Sequence, residues 1–236
     1  MEPACAARGY TQRMRSTYFP FHQLGLRANP FRALEDDEWA AIAVLPEAAL
    51  RAAGEGWHLQ VLGERGRGKT TTLLGLQARL RQAGQRTDYE YVPDGQTAFQ
   101  AVPAGLDVFL LDEAQRLAGG ERNRLLGAAR AGRRLMLGSH EDFTPMFAAA
   151  GLRLATLRLD DEGPAHLEAV LVRRVAFFAL TPEAPGVTFE PGAVDYLHVQ
   201  FGSDLRASER FLYEVFQALT RPSPISAEQL RQLAID

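Results

Sequence analysis

The chain has 236 residues, a formal net charge of -3, and 46% apolar and 23% charged residues, which are the proportions of a globular protein and not of a disordered, collagen-like or coiled-coil one. Its single Cys excludes an internal disulfide framework and a zinc site built on several cysteines. The weak acidity excludes a strongly basic, histone-like nucleic-acid binder, and no run of 18 apolar residues marks a membrane-spanning helix.

Met1 to about Tyr18 shows no apolar periodicity and lacks the apolar core of a secretion signal. Its arginines and scarcity of acids faintly resemble a transit peptide. The plainer expectation is a frayed extension over residues 1–23, with Cys5 an exposed thiol and Met14 an alternative start that leaves residues 1–13 outside the native chain.

Pro46 to Ala53 reads as a short helix, with Pro in its first turn and Gly54 and Gly56 ending it. Trp57 to Leu62 reads as a strand, Thr70 to Ala83 as a helix closed by Gly84, and Thr87 to Val92 as a second strand. Asp107 to Leu111 is a short continuous apolar run, the pattern of a strand buried on both faces. A helix over Glu121–Ala131 and strands over Arg134–Leu137 and Leu154–Leu159 follow. Strands alternating with helices predict a parallel α/β sheet over residues 24–162. The pattern then becomes all-helical over residues 163–236. Leu167, Val170, Leu171, Val175 and Phe178 share one helix face, and Leu205, Leu212, Val215, Phe216 and Leu219 share another. Pro/Gly-rich stretches at Thr181–Gly186 and Arg221–Pro224 punctuate this part, and a short final helix is expected after the second.

Directly after the first strand stands Gly63-Glu64-Arg65-Gly66-Arg67-Gly68-Lys69-Thr70, followed by Thr71, which fits the phosphate-loop pattern G-x-x-x-x-G-K-T. The glycines allow a tight turn whose backbone N–H groups face phosphate oxygens, and the next helix adds its positive N-terminal end. In this pattern Lys69 reaches the β- and γ-phosphates and the Thr70 hydroxyl ligates Mg²⁺. Of 26 basic residues 25 are Arg, and Lys69 is the one Lys, which singles out this position. The strand ending at Leu111 runs into Asp112-Glu113. A buried strand delivers Asp112 to the sheet edge as a metal-holding carboxylate, and Glu113 beside it can activate a water. Ser139, with His140 next to it, ends the following strand, where a polar side chain can fix that water.

These residues resemble the AAA+ ATPases, and within them the bacterial branch of the ExeA, TniB, MuB and TnsC proteins, which is related to the origin-recognition initiators. The resemblance implies a P-loop NTPase sheet flanked by helices with a small C-terminal helical lid. It implies ATP and Mg²⁺ as ligands, hydrolysis of ATP, a cytoplasmic protein, and assembly into a ring or filament. By the same resemblance Asn29, Pro30 and Phe31 pack near the adenine, Ser139 is the first sensor, and Arg206 in Gly202-Ser-Asp-Leu-Arg206 touches the γ-phosphate. Arg153, with Arg158 as its rival, is the finger supplied to a neighbouring subunit.

Arg116, Arg122, Arg124, Arg130, Arg133 and Arg134 lie within one stretch that holds a single acid, Glu121. Relatives in that branch track double-stranded DNA with this part of the fold, so DNA and a transposase-like client are the candidate partners. The competing reading is a solvated face in a chain that uses Arg everywhere. Two other functions remain: a nucleotide-dependent scaffold with slow hydrolysis, and a phosphotransferase, against which Glu113 argues.

Overall fold

The computed structural model describes residues 21–159, 163–181 and 184–234. The expected extension lies largely outside the described residues, Cys5 and Met14 included, as do Pro182 and Glu183 of the first Pro/Gly stretch and residues 160–162 at the expected boundary. Among the described residues no helix is long and apolar enough to cross a membrane.

Five strands form one parallel sheet: β1 (His58–Leu62), β2 (Thr87–Tyr91), β3 (Val108–Asp112), β4 (Arg134–Ser139) and β5 (Leu154–Arg158), in the order β2-β3-β4-β1-β5. Alternation within the strands sorts the apolar residues between two cores. Val108 and Leu110 of β3, Met136 of β4, and Leu59 and Val61 of β1 face a core completed by Leu73, Leu76 and Leu80. Phe109 and Leu111 of β3, with Leu135 and Leu137 of β4, face the opposite core, completed by Leu125, Leu126 and Phe147. Helices therefore cover both faces, and continuous apolar strands are the result. On the first face lie α1 (Asp36–Ile42), α2 (Glu47–Gly54) and α3 (Lys69–Gln82); on the second lie α4 (Gly119–Arg130) and α5 (Thr144–Ala149).

The chain continues into α6 (Pro164–Phe178), α7 (Pro191–Phe201), α8 (Leu205–Ala218) and α9 (Ala227–Leu233). Two short strands, β6 (Thr188–Phe189) and β7 (Pro224–Ile225), pair in parallel between them. The apolar faces of α6, α7 and α8 meet in a third core, which also takes in Leu24, Leu26 and Phe31 from the start of the described chain. Leu26 bridges to Ala179, so this opening segment is bound to the helical unit by backbone as well as by side chains.

Three helices had no counterpart in the sequence reading. α1 starts from Glu35, whose side chain accepts from the Glu38 N–H while the Glu38 side chain accepts from the Glu35 N–H. Such a reciprocal box is usually opened by Ser or Thr, so a Glu at this place hid it. α5 and α7 each begin with a Pro in the first turn, Pro145 and Pro191, a start signal that both stretches carried.

Candidate functional site

The C-terminal ends of β1, β3 and β4 are adjacent, so the loops that leave them converge. From β1 the chain turns through Gly66 (φ +87°) and Gly68 (φ +89°) into α3. At Gly66 the left-handed backbone is needed, and so is the missing side chain: a Cβ there would stand 2.4 Å from Asp204 Oδ1 at the start of α8. Lys69 opens α3 and is only 5% exposed. Its Nζ donates to Gly63 O at 2.8 Å and Glu64 O at 3.1 Å and lies 3.2 Å from His140 Nε2.

Thr70 Oγ1 donates to Asp112 Oδ2 at 2.5 Å, which ties the phosphate-loop helix to the end of β3. Tyr89 on β2 donates to the same oxygen at 3.3 Å. The Glu113 N–H donates to Asp112 Oδ1 at 2.9 Å. Asp112 is fully buried, and burial pushes its carboxyl above the usual carboxylate range, against the pull of Thr70 and the Glu113 amide. The close fit extends to Gly138 on β4, where a Cβ would stand 2.3 Å from Asp112 Oδ1.

Glu113 adopts left-handed backbone (φ 58°, ψ 38°), the one positive φ outside glycine among the described residues. Such a conformation costs on the order of 1–3 kcal/mol and is held by its surroundings. Here it turns the chain from β3 toward the site. The Glu113 carboxylate accepts from Gln115 Nε2 at 2.9 Å, pairs with Arg116 at 3.1 Å and lies 3.6 Å from His140 Nε2. A cavity of about 240 Å³ joins these parts. It is lined by Arg65 to Thr71, by Tyr91 and Glu113, and by Trp39, Leu205, Arg206 and Glu209 from α1 and α8.

No family model matches the chain, and no curated protein matches it. Solved structures do match. A single-residue variant of RuvB from Thermotoga maritima is 17% identical with a TM-score of 0.55, and the match covers 80% of this chain and 65% of that one. A second variant of the same protein is 15% identical with a TM-score of 0.54 and the same coverage. AMPPCP-bound DnaA from Aquifex aeolicus is 16% identical over 72% of this chain and 59% of that one, with a TM-score of 0.46. The chain thus spans just under two thirds of the length of the RuvB chains it matches. Its fold is that of these RuvB structures, an α/β P-loop NTPase fold. In its sheet β4 lies between the phosphate-loop strand and the strand of Asp112.

Within this P-loop NTPase fold the remaining sequence candidates fall in different places. Arg206 is exposed at the start of α8 and lines the same cavity as Glu113. Arg67 donates to Ser203 Oγ and so joins the phosphate loop to the turn before α8. Ser139 is fully buried, and its Oγ accepts from the Glu141 N–H at 2.9 Å. Asn29, Pro30 and Phe31 do not line the 240 Å³ cavity. Asn29 is 3% exposed and donates to Tyr213 O at 3.0 Å, and Phe31 packs against Phe189 and Phe216 in the helical core. Phe31 does line a neighbouring cavity of about 720 Å³, which shares Trp39, Arg206 and Glu209 with the first. Arg153 is exposed just before β5, at the sheet edge opposite the phosphate loop, while Arg158 ends β5 and lies 3.8 Å from Asp142.

The six clustered arginines do not form one face. Arg116 and Arg122 stand near the site and pair with Glu113 and Glu141. Arg133 and Arg134 stand at the other end of the sheet and donate to Leu106 O and Ala53 O. Arg124 pairs with Glu121 and stacks 3.6 Å from the Phe99 ring centroid, and Arg130 is exposed on α4.

Sequence reasoning missed Trp39, Tyr89, Tyr91 and Glu209. The two tyrosines lie in a strand that the sequence marks, Tyr89 in its middle and Tyr91 at its end. Trp39 and Glu209 reach the site only through the docking of α1 and α8, for which no local pattern speaks.

Proposed function

We propose that this protein binds ATP with Mg²⁺ and hydrolyses the ATP. It works in the cytoplasm as an oligomer and couples its nucleotide state to a partner, with double-stranded DNA or a transposase-like protein as the candidates. The observation that carries this reading is the Thr70–Asp112 hydrogen bond at 2.5 Å, with Lys69 and Glu113 beside it. Two hard oxygen donors next to a glycine-rich loop are a donor set that suits Mg²⁺. Thr70 and Asp112 would hold the ion, which when bound offsets negative charge on the phosphates. Lys69 turns its donors from the Gly63 and Glu64 carbonyls and His140 Nε2 to phosphate oxygens. Backbone N–H groups of the phosphate loop and the N-terminal end of α3 hold the rest of the chain of phosphates. Glu113 orients a water and accepts its proton. Arg206 reaches the terminal phosphate from the lid side, and Arg153 of one copy serves a neighbouring copy.

Glu113→Gln tests the reading. Turnover should fall roughly 100- to 10,000-fold with nucleotide binding retained, because the amide keeps the shape and loses the base. ATP turnover of the wild type no greater than that of the variant, with and without DNA, would sink the enzyme reading. The engagement of Glu113 by Gln115 and Arg116 favours a second reading, a nucleotide-dependent scaffold in which hydrolysis is slow.

Tyr89→Phe tests the metal assignment. Once Thr70 turns its oxygen to a metal, Tyr89 is the hydroxyl donor left on Asp112. Loss of such an outer partner should raise the Mg²⁺ concentration needed for half-maximal turnover roughly 10-fold, with little change at saturation. An unchanged Mg²⁺ dependence would remove Tyr89 from the site.

A further inference from the structure

We infer that His140 is a positioning residue for Glu113 and Lys69, and that it changes the ring nitrogen carrying its proton when the terminal phosphate arrives. The inference rests on the ATPase reading above and goes beyond it, because it assigns a part to the imidazole that follows Ser139 at the end of β4.

The imidazole sits at the meeting point of the loops. Nε2 lies 3.2 Å from Lys69 Nζ and 3.6 Å from Glu113 Oε1, and Nδ1 lies 3.8 Å from Glu64 Oε2. The backbone N–H of His140 donates to Gln115 Oε1 at 3.3 Å, and Gln115 Nε2 in turn donates to Glu113 Oε2. The ring is therefore held on the same small frame as the carboxylate. An ammonium only donates, so Nε2 beside Lys69 accepts and the ring proton stays on Nδ1. A terminal phosphate takes Lys69's donors. Nε2 then faces Glu113 Oε1, which only accepts when ionised. The arrangement is satisfied when the ring proton sits on Nε2 and is donated to Glu113. That hydrogen bond fixes the carboxylate that must orient the water. The exchange breaks the Nδ1–H bond and forms an Nε2–H bond, with water taking the one proton and supplying the other.

Two measurements test this. Nitrogen-15 NMR of histidine side chains, with His140 assigned by its loss in His140→Ala, should show a proton on Nδ1 in the free protein. It should show the proton on Nε2 when a non-hydrolysable ATP analogue and Mg²⁺ are added to saturation. An unchanged proton position at saturation overturns the inference. The second measurement is turnover of His140→Ala, expected to fall roughly 10- to 100-fold, the loss of one hydrogen bond to a charged group, with analogue affinity within about threefold. Added imidazole should restore part of that turnover, which a merely structural role would not allow. Turnover within about twofold of wild type, or a parallel loss of affinity that imidazole does not restore, overturns it. A wild type that moves the proton and shows no turnover would refute the ATPase reading and support the histidine's response.

Discussion

Replacing Arg174 with Ala is expected to lower the unfolding free energy by about 3–5 kcal/mol, the range for removing one member of a buried ion pair. Arg174 is 1% exposed on α6. Its Nε donates to Pro30 O at 2.5 Å and its Nη2 to Arg32 O at 2.9 Å, while Nη1 pairs with Glu209 on α8. The guanidinium also lies 5.3 Å from the Phe31 ring centroid and 4.9 Å from that of Trp39. One side chain thus joins the opening segment, α1, α6 and α8. Burial lowers the Arg174 pKa and raises that of Glu209, and each charge opposes the shift of the other. Alanine would leave the Glu209 carboxylate buried without its counter-charge and strip two carbonyls of their donors. Urea unfolding followed by tryptophan fluorescence measures the loss, and a change below about 1 kcal/mol would contradict the role. The double variant Arg174→Met with Glu209→Leu should recover most of the stability, because apolar groups of similar volume replace such a pair at little cost.

That pair also marks how far the sequence could be read. Arg174 stands seven residues after Leu167 and three after Leu171, and Glu209 stands four after Leu205 and three before Leu212. Each charge therefore lies on the apolar face of its own helix, a local sign of burial. What no local pattern holds is that the two faces meet. The phosphate loop and the Asp112-Glu113 step were legible because their chemistry lies in consecutive residues at strand ends. Ser139 ends β4 and His140 follows it, and only the loop beyond decides that Ser139 Oγ accepts from the Glu141 N–H while the imidazole meets Lys69. The resemblance of Leu24 to Phe31 sets Asn29, Pro30 and Phe31 near the adenine; Phe31 packs against Phe189 and Phe216 and also lines the cavity of about 720 Å³ that shares Trp39, Arg206 and Glu209 with the phosphate-loop cavity. The arginine stretch is divided for a geometric reason. It spans a short helical turn, a helix and a strand from one end of the sheet to the other, so neighbours in sequence are distant in space.

Lys69→Arg should reduce turnover by roughly 100- to 1,000-fold, the cost of losing one preorganised electrostatic donor at a reacting phosphate, and should weaken nucleotide binding with it. The substitution keeps the charge, so the argument is one of shape. Lys69 Nζ occupies a buried notch within 2.8 Å of Gly63 O, 3.1 Å of Glu64 O and 3.2 Å of His140 Nε2. A compact ammonium can turn its three hydrogens from those acceptors to phosphate oxygens without moving its stem. A planar guanidinium is broader, carries its donors in a fixed fork, and cannot enter the same notch without pushing the loop outward. The loop has little room to give, since Gly66 already lies against Asp204. The chain itself makes the comparison informative: every other basic residue is Arg, so the position that keeps Lys is the one where Arg fits least. Titration with a non-hydrolysable ATP analogue, turnover, and far-UV circular dichroism to verify folding would check this. Normal turnover in a folded Lys69→Arg protein would take the phosphate loop out of the reaction.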